Sequence, residues 1–147
     1  MLDKQGKYEE AERIHRQTLE LCEKVLGQQH PSTLNSMHNL ATVLRCQGNY
    51  EESEQIHQQE LKLTEKVLGK EHPDTLYSMS SLALVLVDQG KYEEADAMLR
   101  QALELMAKVL GKEHPDTLAI RKYLLYSQCK YEKAKKKGEE APIDAKV

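Results

Sequence analysis

The chain has 147 residues, a net charge of −3, three cysteines and neither tryptophan nor phenylalanine. That length suits one ordinary domain, and so small a net charge excludes the strong pull toward nucleic acid or acidic lipid that a basic chain exerts. No apolar run approaches the ~18 residues of a membrane span, and Met1-Leu2-Asp3-Lys4 is too polar for the apolar centre of a secretory leader.

Taken in order, Met1 to Gln5 reads as the last turn of a helix that Gly6 stops. A long helix is then expected from about Tyr8 to Leu26, with Tyr8, Ala11, Ile14, Leu19, Cys22, Val25 and Leu26 on one face at steps of three and four. Glu9, Glu10 and Glu12 crowd its first turn, where the helix dipole favours negative charge. Gly27 ends it and Pro31 forbids continuation. Ser32 or Thr33 is the expected cap of the next helix, as Asp74 and Asp116 are further on. That helix spans about Thr33 to Gln47 and turns Leu34, Met37, Leu40, Ala41 and Leu44 inward. Gly48 breaks it, and a partner helix follows from about Tyr50 to Leu68 with Tyr50, Ile56, Leu61, Leu63, Val67 and Leu68 as its apolar residues.

The plan then returns. One helix from about Thr75 to Gln89 carries Leu76, Met79, Leu82, Ala83 and Leu86. The next, from about Tyr92 to Leu110, carries Tyr92, Ala95, Leu99, Ala102, Leu103, Met106 and Leu110. The return is periodic. Lys66–Leu76 recurs unchanged as Lys108–Leu118, 42 residues later, and Lys24–Leu34 precedes it by the same step. Gly6-Lys7-Tyr8-Glu9-Glu10-Ala11, Gly48-Asn49-Tyr50-Glu51-Glu52-Ser53 and Gly90-Lys91-Tyr92-Glu93-Glu94-Ala95 keep the same interval. A fixed period in this range marks stacked helical repeats. The division expected is a partial repeat over 1–31, full repeats over 32–73 and 74–115, and a degenerate repeat over 116–134. In the last, Cys129 stands where glycine stood, and Lys130-Tyr131-Glu132-Lys133-Ala134 begins a second helix that soon dissolves. Residues 135–147 are expected to be a disordered tail, with little to bury.

Paired helices with Gly-x-Tyr-x-x-Ala opening the second resemble the tetratricopeptide repeat (TPR). Met37, Leu40, Ala41, Leu44, Gly48, Tyr50 and Ser53 fall on that family's structural positions, as do Met79, Leu82, Ala83, Leu86, Gly90, Tyr92 and Ala95. The 42-residue length and the Leu-Gly-x-x-His-Pro-x-Thr-Leu linker are similar to the kinesin light chain subtype, and to repeat arrays of signalling NTPases. The sequence contains neither sustained heptads nor a P-loop string. The resemblance implies an all-α, right-handed α-solenoid of antiparallel helix pairs (a TPR-like superhelix). It also implies a non-catalytic interaction module whose first helices hold a peptide or partner protein in a concave groove.

That groove maps onto the helical face that avoids the core positions. It comprises Asn35, His38, Asn39, Thr42 and Arg45 in the second repeat, Tyr77, Ser80, Ser81, Leu84, Val87 and Asp88 in the third, and Ala119, Lys122 and Tyr126 in the fourth. The two asparagines can both donate to and accept from a peptide backbone. Arg45 and Lys122 suit a carboxylate, while Tyr77, Leu84 and Tyr126 offer apolar area. The alternative is that this stripe is solvated helix surface.

No catalytic constellation, cofactor site or metal site is expected. His30, His72 and His114 recur one repeat apart, as do His15 and His57. Packed helices lie about 8–10 Å apart, too far for such equivalents to share a zinc at about 2.0–2.1 Å. The His-Pro residues read as linker and cap chemistry, and His15 and His57 as packing residues in the slot that Leu99 fills. Cys22, Cys46 and Cys129 lack CxxC spacing and read as reduced thiols of a cytoplasmic protein. The lysines from Lys133 to Lys137 read as a solvated helix end. A partner helix for Tyr8–Leu26 is absent from the sequence, so homo-association through that uncapped N-terminal helix is expected as a second possibility. The partners expected are a protein or peptide ligand, with no nucleic acid and no membrane.

Overall fold

A computed structural model describes residues 4–137. Six helices follow one another: α1 (Lys4–Leu26), α2 (Pro31–Cys46), α3 (Tyr50–Leu68), α4 (Pro73–Asp88), α5 (Tyr92–Leu110) and α6 (Pro115–Lys136). No strand occurs among the described residues. The chain divides into two compact units, the first ending at Gly69 and the second beginning at Lys70.

Two kinds of joint separate the helices. Between α2 and α3, Gly48 (φ 84°) lies just past the C-cap Gln47. Its N–H donates to Arg45 O at 3.0 Å, and the Asn49 N–H reaches Leu44 O at 2.9 Å. These two bonds satisfy carbonyls that the helix end leaves open, and they need a left-handed residue between them. Gly90 and Lys91 make the same pair of bonds to Val87 O and Leu86 O. The second joint is more extended. Gly111 has φ 100° and ψ 155°, a region that only glycine occupies at low cost.

The helices that follow this second joint begin with proline, and their caps are histidines. His30, His72 and His114 hold extended backbone, and each Nδ1 accepts the N–H two residues on, at 3.0, 3.0 and 3.1 Å. This replaces the expected caps Ser32, Thr33, Asp74 and Asp116. Proline at the first helical position moves the cap back to the histidine. Thr33 and Thr117 instead donate their hydroxyls to Gly27 O and Gly111 O, both at 2.7 Å, and so tie the linker to the helix it feeds.

In the first unit α1 packs on α2 and α2 on α3. The core comes from α2, whose Leu34, Met37, Leu40, Ala41 and Leu44 are buried as the periodicity predicts. The face of α3 does not follow the apolar residues. Tyr50, Ile56, Leu61 and Leu63 are half-buried, while Val67 and Leu68 are exposed. Its fully buried residues are Ser53, His57, Glu60 and Thr64. On α1, Ile14, Val25 and Leu26 are exposed, while Tyr8, Ala11, Leu19 and Cys22 are half-buried.

In the second unit α4 packs on α5 and α5 on α6, and α4 also touches α6. Here the expected stripe of α4 holds and that of α5 holds in part, since Tyr92, Leu103 and Leu110 are only half-buried. Leu76, Met79, Leu82, Ala83 and Leu86 of α4 are buried with Ala95, Leu99, Ala102 and Met106 of α5 and Ile120 and Leu124 of α6. Each fully buried leucine contributes about 1.5–3 kcal/mol.

Two helix ends differ from expectation. Among the described residues α1 runs from Lys4 through Gly6, whose φ is not positive, so no break occurs there. Helix α6 continues without interruption across Cys129 to Lys136. No described non-glycine residue has positive φ, so with cysteine in the glycine's place the turn has no residue to make it, and the helix propagates. Lys135 and Lys136, placed by sequence in the tail, therefore close α6. The remainder of the expected tail, from 138 on, lies outside the described residues.

Candidate functional site

The expected partner-binding face divides between the two units. In the first, α2 places Asn35 and Thr42 in solvent and leaves His38, Asn39 and Arg45 half-buried. The Thr42 hydroxyl donates to His38 O of the preceding turn at 2.9 Å, so it is engaged locally. In the second, α4 exposes 44 % of Tyr77, and Leu84 and Asp88 are half-buried. Ser80 and Ser81 do not reach the surface. Both are buried, and the Ser80 hydroxyl donates to Tyr77 O at 2.7 Å. Val87 is buried as well. On α6, Ala119 is half-buried and Lys122 exposed. Tyr126 donates its hydroxyl to Asp88 Oδ1 at 3.0 Å, fastening α6 to the end of α4. The Lys130 ammonium lies 5.7 Å from the centre of the Tyr126 ring, within cation–π reach.

A different group of side chains meets inside the first unit. His38 comes from α2, and His57 and Glu60 from one turn of α3. Glu60 Oε1 lies 3.3 Å from His57 Nδ1 and 3.5 Å from His38 Nδ1. The two imidazoles meet edge to face with ring centres 5.4 Å apart. The His57 and Glu60 side chains are 2 % and 7 % exposed, and His38 is 17 % exposed. By sequence His38 belongs to the binding face and His57 to the packing residues, and Glu60 carries no expectation. A signal was nevertheless present. One period later, the same three positions are Ser80, Leu99 and Ala102, so an imidazole, an imidazole and a carboxylate replace small or apolar residues together.

Charge on the outside of the first unit centres on Arg16. Its Nε donates to Glu12 Oε2 at 2.8 Å and its Nη2 to Glu52 Oε2 at 2.9 Å, which joins α1 to α3. The hydrogen bond from Arg16 holds the Glu12 carboxyl below its ordinary value. In the second unit a cleft of about 310 Å³ lies between α5 and α6, lined by Tyr92, Asp96, Arg100, Ser127 and Tyr131 among others. Arg100 and Asp96 are paired there at 2.7 Å, and the Tyr92 and Tyr131 rings pack edge to face at 5.4 Å. Cys46 and Cys129 are exposed and Cys22 half-buried; none of the three is in a disulfide.

Comparison with known proteins fits this arrangement of helix pairs. The tetratricopeptide repeat family model matches three overlapping stretches, residues 1–63, 37–108 and 78–141. The chain belongs to the tetratricopeptide repeat family. A crystal structure from Podosopora anserina, described as kinesin light chain nearly identical TPR-like repeats, is similar to this TPR protein with a TM-score of 0.77 at 30% identity. A point variant of that protein gives a TM-score of 0.72, also at 30% identity. Each match covers 89% of this chain and 62% of the other, so the TPR chain spans less than two thirds of those structures. No relative was found among proteins of curated function. The TPR protein is therefore of kinesin light chain-like type, and its fold class is the all-α solenoid expected from sequence. TPR repeats are in general a scaffold for protein–protein interaction, and this type is generally non-catalytic. Among the described residues no helix is long and apolar enough to cross a membrane.

Proposed function

We infer that this TPR protein is a non-catalytic, cytoplasmic binding module that holds a peptide or partner protein on the exposed face of its first helices. The carrying observation is Tyr77. It is a large aromatic, 44 % exposed, on a helix whose other described residues from Thr75 to Val87 are buried or half-buried. Exposed tyrosine on a rigid helix is the kind of anchor that interfaces use, because it adds contact area at little entropic cost. Exposed Asn35 and Lys122 supply amide and cationic groups on the corresponding helices of the other repeats. The net charge of −3 agrees with a protein ligand rather than nucleic acid or an acidic membrane. The repeats are divided at 31/32, 73/74 and 115/116.

The test compares capture from cell lysate by wild type and by Asn35→Ala/Tyr77→Ala/Lys122→Glu. All three positions are exposed, so the helical dichroism signal should be unchanged. Proteins retained by the wild type and lost from the variant identify the ligand. Identical capture by both forms rejects this face as the binding surface.

A second reading, self-association, rests on α1. Ile14, Leu21 and Val25 lie at helical spacing and are 49%, 62% and 75% exposed. Such an apolar stripe wants covering, and a second copy supplies a matching one. Light scattering at tens of micromolar should give a mass above that of one chain, and Leu21→Lys/Val25→Lys should return it to one chain. A monomeric wild type removes this reading.

A further inference from the structure

The buried group on α2 and α3 has the composition and spacing of a transition-metal site. We propose that His38, His57 and Glu60 bind one divalent cation of the zinc class, with a fourth position left to water. Three protein ligands of type His₂Glu with an open position are a known solution for zinc. Bonds of about 2.0–2.1 Å in a tetrahedron separate neighbouring donor atoms by about 3.3–3.4 Å. Glu60 Oε1 stands 3.3 Å from one imidazole nitrogen and 3.5 Å from the other. One donor atom from each of the three residues can be chosen so that all lie within 4.8 Å of one another, and modest rotamer movement closes that set around a single ion. The i, i+3 step from His57 to Glu60 puts both on one face of α3, opposite His38 of α2.

The repeat supplies an independent argument. At the equivalent positions the second unit carries Ser80, Leu99 and Ala102, all at 0% exposure. The slot therefore closes well without nitrogen or carboxylate. Filling it with two imidazoles and a carboxylate costs desolvation that packing does not require. A dication would offset the Glu60 charge and occupy the imidazole lone pairs at once. His38, 17% exposed, marks the side from which an ion and its water would enter.

The experiment uses the full chain, stripped with a chelator and titrated with Co²⁺ alone, then with Zn²⁺. We expect one Co²⁺ per chain, with the visible spectrum of a four- or five-coordinate nitrogen–oxygen site and no thiolate charge-transfer band. Zn²⁺ should displace it and raise Tm reversibly. His38→Ser/His57→Leu/Glu60→Ala installs the residues that the second unit already packs, and it should fold while losing both the spectrum and the Zn²⁺-dependent rise. Glu60→Gln keeps the shape and should weaken Co²⁺ binding by more than the roughly 10–100-fold that loss of an outer partner produces; it decides the matter if the triple variant does not fold. The proposal is overturned if wild type shows no saturable visible band. It is equally overturned if the triple variant or Glu60→Gln binds as wild type does, since the ion would then sit on surface histidines or cysteines.

Discussion

At the scale of single residues, the histidine caps and the buried polar stripe of α3 hold the clearest chemistry. A capping imidazole must present a lone pair at Nδ1 to the helix N–H, as His72 does for Asp74 at 3.0 Å. His72→Ala should therefore lower stability by about 0.5–2 kcal/mol, and His72→Asn should restore most of it, because asparagine is a strong N-cap. Urea unfolding of the three proteins checks this. Glu12 carries a pH signature. Its carboxyl is held below the ordinary value of 4.5 by Arg16. A group with a depressed folded-state value contributes stability above its unfolded value and loses that contribution as pH falls through the folded one. The pair is largely solvated, so the effect is small. In melts from pH 7 downward, Glu12→Gln should sit slightly below wild type at neutral pH. The gap should close as pH drops below the ordinary carboxylate range.

At the scale of elements, glycine decides where a helix ends only when it takes positive φ. Gly111 does so, with φ 100° and ψ 155°, and a Cβ there meets no atom within 4 Å. The cost of Gly111→Ala is therefore backbone strain rather than collision, about 1–3 kcal/mol. Thermal melts should show that loss with the helical signal below the transition unchanged. Cys129 is the converse case. Restoring glycine there should cost about 0.5–1 kcal/mol as a helix-interior glycine rather than create a joint. Amide exchange protection spanning Ser127–Glu132 in wild type would confirm the unbroken α6. A gap in protection at Cys129 would reject it.

For the whole molecule, the apolar interior of α4, α5 and α6 is the dominant source of stability in the second unit. Leu82 is 4% exposed at its centre. Leu82→Asp buries a carboxylate with no designed partner and should cost several kcal/mol, enough to unfold that unit. Loss of much of the dichroism signal at 222 nm checks it. A melt like that of wild type would mean the phase of α4 is misassigned.

The sequence alone determined the period, the order of the helices from α2 to α5, and the inward faces of α2 and α4. All of these follow from short-range spacing, since an apolar residue every three or four positions lies on one face wherever the helix is packed. Thr33 and Ser53 show where that reasoning stops. Thr33 reads as a cap and instead bonds back to Gly27, and Ser53 is buried because its hydroxyl reaches Ala41 O at 2.6 Å on the neighbouring helix. Which of two capping candidates acts depends on backbone angles beside a proline, and which polar residue is buried depends on the helix lying against it. Tertiary structure also decided that Ser80 and Ser81 turn inside, and that His38 meets His57 and Glu60. That last meeting joins residues 19 and 22 positions apart in sequence. Spacing along one helix cannot foresee it, because the contact is set by how α2 lies across α3.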